Sequence, residues 1–286
     1  MTWLAALAAA TSPIAVTAAP ALTPSNYVET ADTIVDMFAT SGLAFSTTLL
    51  GLQHDGRPQR ALFTLPPISP RSQAFEMPCP GGGSISGTMS DRDGTGDLSV
   101  QDRIVTSFNS CRIEDDVVSG RSDMRVTAHR DEGPVEVTEL EFRFTNLGTD
   151  LLRWSGPAHV VLRAHRLTGS EHYVVTYRDL AVRRNGQAHR WNFQLELRRS
   201  PIGEQTAAFT GGITIAGLPL RLKQDDPFAI ARDGVPASGR MTAADPAGAR
   251  LQVEAGRRRY AYRYFSPLNG TERPDSTSHS RPRNGR

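Results

Sequence analysis

Between Asp91 and Asp102 the chain reads DRDGTGDLSVQD, with an oxygen-bearing side chain or a turn residue wherever a hard divalent cation would want one. A calcium ion takes six to eight oxygens, and a twelve-residue loop supplies them from positions 1, 3, 5, 7, 9 and 12 around a glycine at position 6. Here those positions hold Asp91, Asp93, Thr95, Asp97, Ser99 and Asp102, with Gly96 at the sixth. Asp91, Asp93 and Asp102 would give carboxylate oxygens, Thr95 a hydroxyl and Asp97 its main-chain carbonyl, which Gly96 lets turn inward. Ser99 would bind directly or through water, and Leu98 would pack away from the ion. The expected cofactor is therefore Ca²⁺, held weakly, with Kd on the order of 10⁻⁴ to 10⁻³ M as in extracellular modules. The competing reading is a solvated acidic turn, since Asp-Gly and Thr-Gly build turns without any ion.

The segments that must carry this loop do not read as helices. PGGGSISG before it is too rich in glycine, and RIVTSF after it alternates like a strand. The loop therefore matches the spacing of an EF-hand loop without the helices that flank one. Its closing aspartate, shorter than the usual Glu, resembles dockerin-type loops. Cys79 and Cys111, the only cysteines, bracket the loop. In an exported chain such a pair reads as one disulfide, and in a reducing compartment as two buried thiols. Neither has a second cysteine or a histidine at the spacing of a zinc ligand.

Export is the expectation set by the start of the chain, where MTWLAALAAATSPIAV is apolar and small residues follow. Val16-Thr17-Ala18 and Ala19-Pro20-Ala21 both present small side chains where a leader peptidase reads them. The leader lacks Lys and Arg and contains Pro13, features that favour an Ala-rich extension instead. The protein is placed in the periplasm or outside the cell, with an envelope or extracellular partner. No internal run approaches the roughly 20 apolar residues of a membrane-spanning helix. A net charge of +2 over 286 residues, with acidic and basic side chains interleaved, does not suggest nucleic-acid binding.

Residues 1–21 are thus a signal peptide, and 22–72 a helix followed by a proline-rich lead-in. In the helix Val28, Ala31, Ile34, Val35 and Phe38 fall at helical spacing, and Asn26 and Glu29 at capping-box spacing. From 73 to 265 the pattern is period two between turn residues, with Asn185-Gly186 a strong two-residue hairpin. Closely spaced strands without intervening helices exclude a parallel α/β sheet. The expected fold is all-β, an antiparallel meander forming a large sandwich or open barrel, as one unit or two similar halves, with one short N-terminal helix. Residues 266–286 are polar and basic, and disorder is expected there.

Catalytic groupings are absent from the sequence. The seven histidines form no HExxH pair, and no serine sits in GxSxG. Glu139, Glu141, Asp179 and Glu196 would serve a glycosidase-like hydrolase only if the fold paired two of them in a cleft. Trp154, Trp191, Tyr173, Tyr177 and Phe193 would line a groove for a lipid or glycan, or simply fill a strand core.

The order of Cys79, DRDGTGDLSVQD, SFNSC, YRDLAV with NG, and FTGGITIAG through ARLQVEA resembles a group of uncharacterised exported proteobacterial β-proteins. That likeness spans Cys79 to Phe265 and implies export, a disulfide and β architecture without naming a substrate. A binding or structural protein, not an enzyme, is the resulting expectation.

Overall fold

The structure is a computed structural model that describes residues 20–36, 72–94, 99–113, 116–231, 236–256, 259–267 and 278–282. Fifteen strands form one antiparallel sheet: β1 (Gln73–Pro78), β2 (Ser84–Ser90), β3 (Arg103–Ile113), β4 (Asp116–Glu132), β5 (Val135–Gly148), β6 (Leu152–His165), β7 (Ser170–Tyr177), β8 (Leu180–Arg184), β9 (Gln187–Arg199), β10 (Gln205–Ile215), β11 (Leu218–Ile230), β12 (Pro236–Ala244), β13 (Arg250–Ala255), β14 (Arg259–Phe265) and β15 (Ser278–Pro282). Neighbours in sequence are neighbours in space, as short connections dictate. β7 and β8 share one position between β6 and β9. The chain breaks between them at Asp179, whose φ is 54°, so the stretch 172–182, which reads as one strand, is two.

Alternation puts one side chain in two on an inner face. Its register can be followed across the sheet through Met89, Ile104, Met124, Phe142, Ala158 and Tyr177, all of them buried. One continuous core cluster joins that face to Leu22, Tyr27, Ala31, Ile34 and Val35. Asn185 (φ 48°) and Gly186 (φ 82°) form the expected turn, with Arg184 opposite Gln187.

The helix α1 occupies 27–36. Asn26 begins it, its carbonyl accepting the Thr30 N–H at 3.0 Å. The Asn26 side chain turns back, accepting from Thr23 N–H at 2.8 Å and donating to the Ala21 carbonyl at 2.9 Å. Phe38 lies outside the described residues.

Consecutive helix residues reach two distant strands. Arg184 of β8 donates to Thr33 Oγ1 at 3.1 Å, and Tyr262 of β14 to Asp32 Oδ1 at 2.9 Å. In a flat sheet β8 and β14 would stand six spacings apart, about 29 Å. An arginine and a tyrosine cannot bridge that distance through adjoining residues, so the sheet curls around α1.

The polar tail departs from expectation, because Ser278–Pro282 pairs with β14 as β15. An edge recruits main-chain amides whatever the side chains, and proline is tolerated on such an edge.

Candidate functional site

Two carboxylates at the ends of the acidic loop are buried, Asp91 at 3% exposure and Asp102 at 2%. Asp91 follows β2 directly, and its Oδ1 accepts the Gly94 N–H at 2.7 Å. Asp102 precedes β3. Its Oδ1 accepts the Arg92 N–H at 2.9 Å, while Oδ2 accepts from Ser99 N–H at 2.7 Å and Ser99 Oγ at 3.2 Å. Ser99 and Asp102 thereby make the reverse half of a capping box. The helix that such a box would start is replaced by a strand: Gln101, at φ 81°, donates to the Val126 carbonyl and Asp102 accepts from Val126 N–H.

The closing aspartate thus ties both ends of the loop, reaching across ten positions to Arg92. All its donors are neutral. Asp93 is exposed, and among the described residues no three His, Cys, Asp or Glu side chains converge to metal-ligating distance. Thr95 and Asp97, with Gly96 and Leu98, lie outside the described residues.

Below the loop, Cys79 and Cys111 form a disulfide across a sequence separation of 32. Their Cα atoms lie 5.4 Å apart, beside a turn in which Cys79 N–H donates to the Gly83 carbonyl. Gly83 has φ 77°, and a Cβ there would stand 2.1 Å from the Ser110 carbonyl oxygen. No other residue fits that position.

The inner face holds a second concentration of chemistry. Tyr177, Trp191, Phe193, Phe209 and Phe228 form a chain of ring contacts at 5.1 to 6.2 Å. Beside it Trp154 faces Val182, and Val182 faces His189, on adjoining strands. His189 Nδ1 accepts the Ala216 N–H at 3.3 Å, so in the neutral ring Nε2 carries the proton. Burial, then the charge on Arg184, holds this imidazole below its ordinary pKa. His189 Nε2, Trp154 Nε1 and Trp191 Nε1 are all buried without a hydrogen-bond partner among the described residues. Burial likewise pushes the Tyr177 hydroxyl far above its ordinary pKa. The aromatics are visible in the sequence; their unanswered donors, which depend on cross-strand register, are not.

Of the carboxylates considered for hydrolysis, Glu139 and Glu141 stand two positions apart on the outward face of β5, and Glu139 and Glu196 are held apart. Glu139 pairs with Arg130 at 2.7 Å, and Glu196 lies 2.9 Å from His172. The register Glu139, Val161, Val174, Glu196 separates these two by three strand spacings, about 14 Å. That exceeds the 5 to 10 Å of glycosidase pairs. Hydrogen bonding to Arg130 lowers the pKa of Glu139, and hydrogen bonding to Arg198 lowers that of Glu196. Glu141 is exposed on β5, and Asp179 pairs with Arg190 at an exposed turn.

Comparison of the chain with protein-family models, curated proteins and solved structures finds no match in any of the three. No helix among the described residues is long and apolar enough to cross a membrane.

Proposed function

We propose that this is an exported, non-catalytic β-protein with a binding or structural role at the cell envelope, whose 91–102 loop is closed by a calcium ion above the Cys79–Cys111 disulfide. The observation that carries this reading is Asp102, a buried carboxylate whose donors are two amides and a hydroxyl. A buried charge is favourable only when something of opposite sign answers it. The ion would be held by Asp91, Asp93, Thr95, Asp97, Ser99 and Asp102. Isothermal titration of calcium into chelator-stripped protein tests it. Saturable binding at about 10⁻⁴ to 10⁻³ M that disappears in Asp93→Ala supports the site, and heat of dilution alone removes it.

A second reading is favoured by the three unanswered N–H groups of Trp154, Trp191 and His189. Donors without acceptors beside an aromatic run suit an apolar molecule whose head carries acceptor oxygens, such as a fatty acid. Quenching of tryptophan fluorescence by a long-chain fatty acid, reduced in each of Trp154→Phe and Trp191→Phe with the other inner-face tryptophan remaining as reporter, would support it. Unchanged fluorescence, with no lipid in an organic extract of the purified protein, would end it.

A further inference from the structure

Asp245 is 6% exposed and opens the turn from β12 to β13. Its Oδ1 accepts the Ala249 N–H at 2.8 Å, and its own N–H donates to the Ala249 carbonyl. The second oxygen faces away from this turn. Asp245 Oδ2 accepts the N–H of Leu22 at 3.0 Å, from 223 positions earlier in the chain. Both donors are neutral amides, an incomplete answer for a buried carboxylate.

Leu22 is also where the chain enters the core. Pro20 and Ala21 are exposed, whereas Leu22 is buried at 3% and its carbonyl lies 3.5 Å from the Tyr264 hydroxyl. In the sequence Leu22 directly follows Ala19-Pro20-Ala21, one of the two small-residue patterns a leader peptidase would read. Two independent observations, a cleavage pattern and a buried carboxylate, thus meet on one nitrogen atom.

We propose that the leader is removed between Ala21 and Leu22 and that the new α-ammonium of Leu22 becomes the counter-ion of Asp245. Water adds to the Ala21 carbonyl carbon, the bond to the Leu22 nitrogen breaks, and Ala21 departs as the leader's carboxylate. The nitrogen takes up protons and keeps its place beside Asp245 Oδ2, so a hydrogen bond from a neutral amide becomes an ion pair. Cleavage also releases the exposed Asn26 Nδ2 from the Ala21 carbonyl, and water takes the place of that acceptor. Cleavage after Ala18 would instead leave Leu22 as an amide. The inference rests on the export reading and assigns the bond that is cut.

The sign of the pH dependence follows from the pair. An α-amino group has an ordinary pKa of about 7.7 to 8.0, and a carboxylate partner raises it in the folded state. The added stability is complete below the ordinary value and is lost as pH rises through the raised one.

The test is to express the full chain in a secreting bacterium, recover it from the periplasm and determine its first residue by intact mass and N-terminal sequencing. Leu22 is expected. A chain exported and cut elsewhere, for instance before Ala19, overturns this inference while leaving export intact; an uncut chain retained in the cytoplasm removes both. Urea unfolding of the exported protein from pH 6.5 to 10 is then compared with Ala21→Gln, which redirects processing away from Leu22, and with Asp245→Asn. At pH 6.5 the unfolding equilibrium constant is expected to be at least about tenfold lower for the chain beginning at Leu22 than for Ala21→Gln, the gap closing toward pH 10 and vanishing in the Asp245→Asn background. Equal stability of the two chains at every pH overturns the ion pair.

Discussion

Two turns in this molecule bury aspartate carboxylates, and they do so for opposite reasons. At 91–102 the donors to the Asp102 carboxylate come from within ten residues, and the disulfide fastens the same hairpin. At 245–249 the carboxylate holds its own turn with one oxygen and uses the other to anchor the start of α1 from across the chain. A local carboxylate organises one connection, whereas a long-range one fixes where a separate segment docks. The first belongs to the loop proposed here to hold an ion; the second holds the segment around which the sheet curls.

The largest expected effect tests the stapled end. Replacing both cysteines with serine frees a loop of sequence separation 32, and the chain-entropy model gives a loss of about 4 kcal/mol in urea unfolding. A loss under about 1 kcal/mol would mean that strand pairing alone fixes the β2–β3 hairpin in the unfolded reference as well.

Removing the distant clasp comes next. Asp245→Ala strands two buried N–H groups and is expected to cost about 3 kcal/mol, with faster hydrogen exchange in α1 as its local signature. Uniform exchange across the sheet, with α1 unaffected, would separate Asp245 from helix docking. Asp102→Asn is expected to cost about 1 to 2 kcal/mol in chelator, because an amide offers one acceptor where the carboxylate offers two. Exposed Asp93→Ala should stay within about 0.5 kcal/mol under the same conditions.

The smallest effect sharpens the picture of the inner face. His189 has a depressed pKa when folded, so the unfolded chain takes up its proton first. Stability is therefore expected to fall as pH drops below about 6.5. His189→Gln should flatten that part of the profile. An unchanged slope would assign acid sensitivity to other groups.

What the sequence disclosed follows the same division between local and distant chemistry. Asn185-Gly186 was legible because positive φ at two adjoining residues is a local demand that few residues meet. The acidic loop was legible as a spacing, and Asp102 does tie its ends, although the convergence of ligands cannot be read from spacing. The break at Asp179 does leave a trace in YRDLAV, where the buried Tyr177 and Leu180 stand three positions apart and interrupt the period of two. β4 was obscured by register shifts at Ser119/Arg121 and Val126/Ala128, which disturb its alternation. Asp245 gave only a turn, in ADPAGA; nothing in that hexapeptide points to Leu22. The unanswered donors of Trp154, Trp191 and His189 depend on strand pairing and had no sequence signature.

The central claim is that an ion closes the 91–102 loop, and a thermal melt of the oxidised, exported protein tests it most directly. In chelator, and then in about 5 mM calcium, a site of the proposed affinity adds roughly 1 to 2 kcal/mol by mass action. The melting temperature is predicted to rise by a few degrees, a rise abolished in Asp93→Ala while the chelator melts of the two proteins coincide. Identical melts with and without calcium would contradict the claim, leaving Asp91 and Asp102 as the hydrogen-bonded frame of a solvated turn.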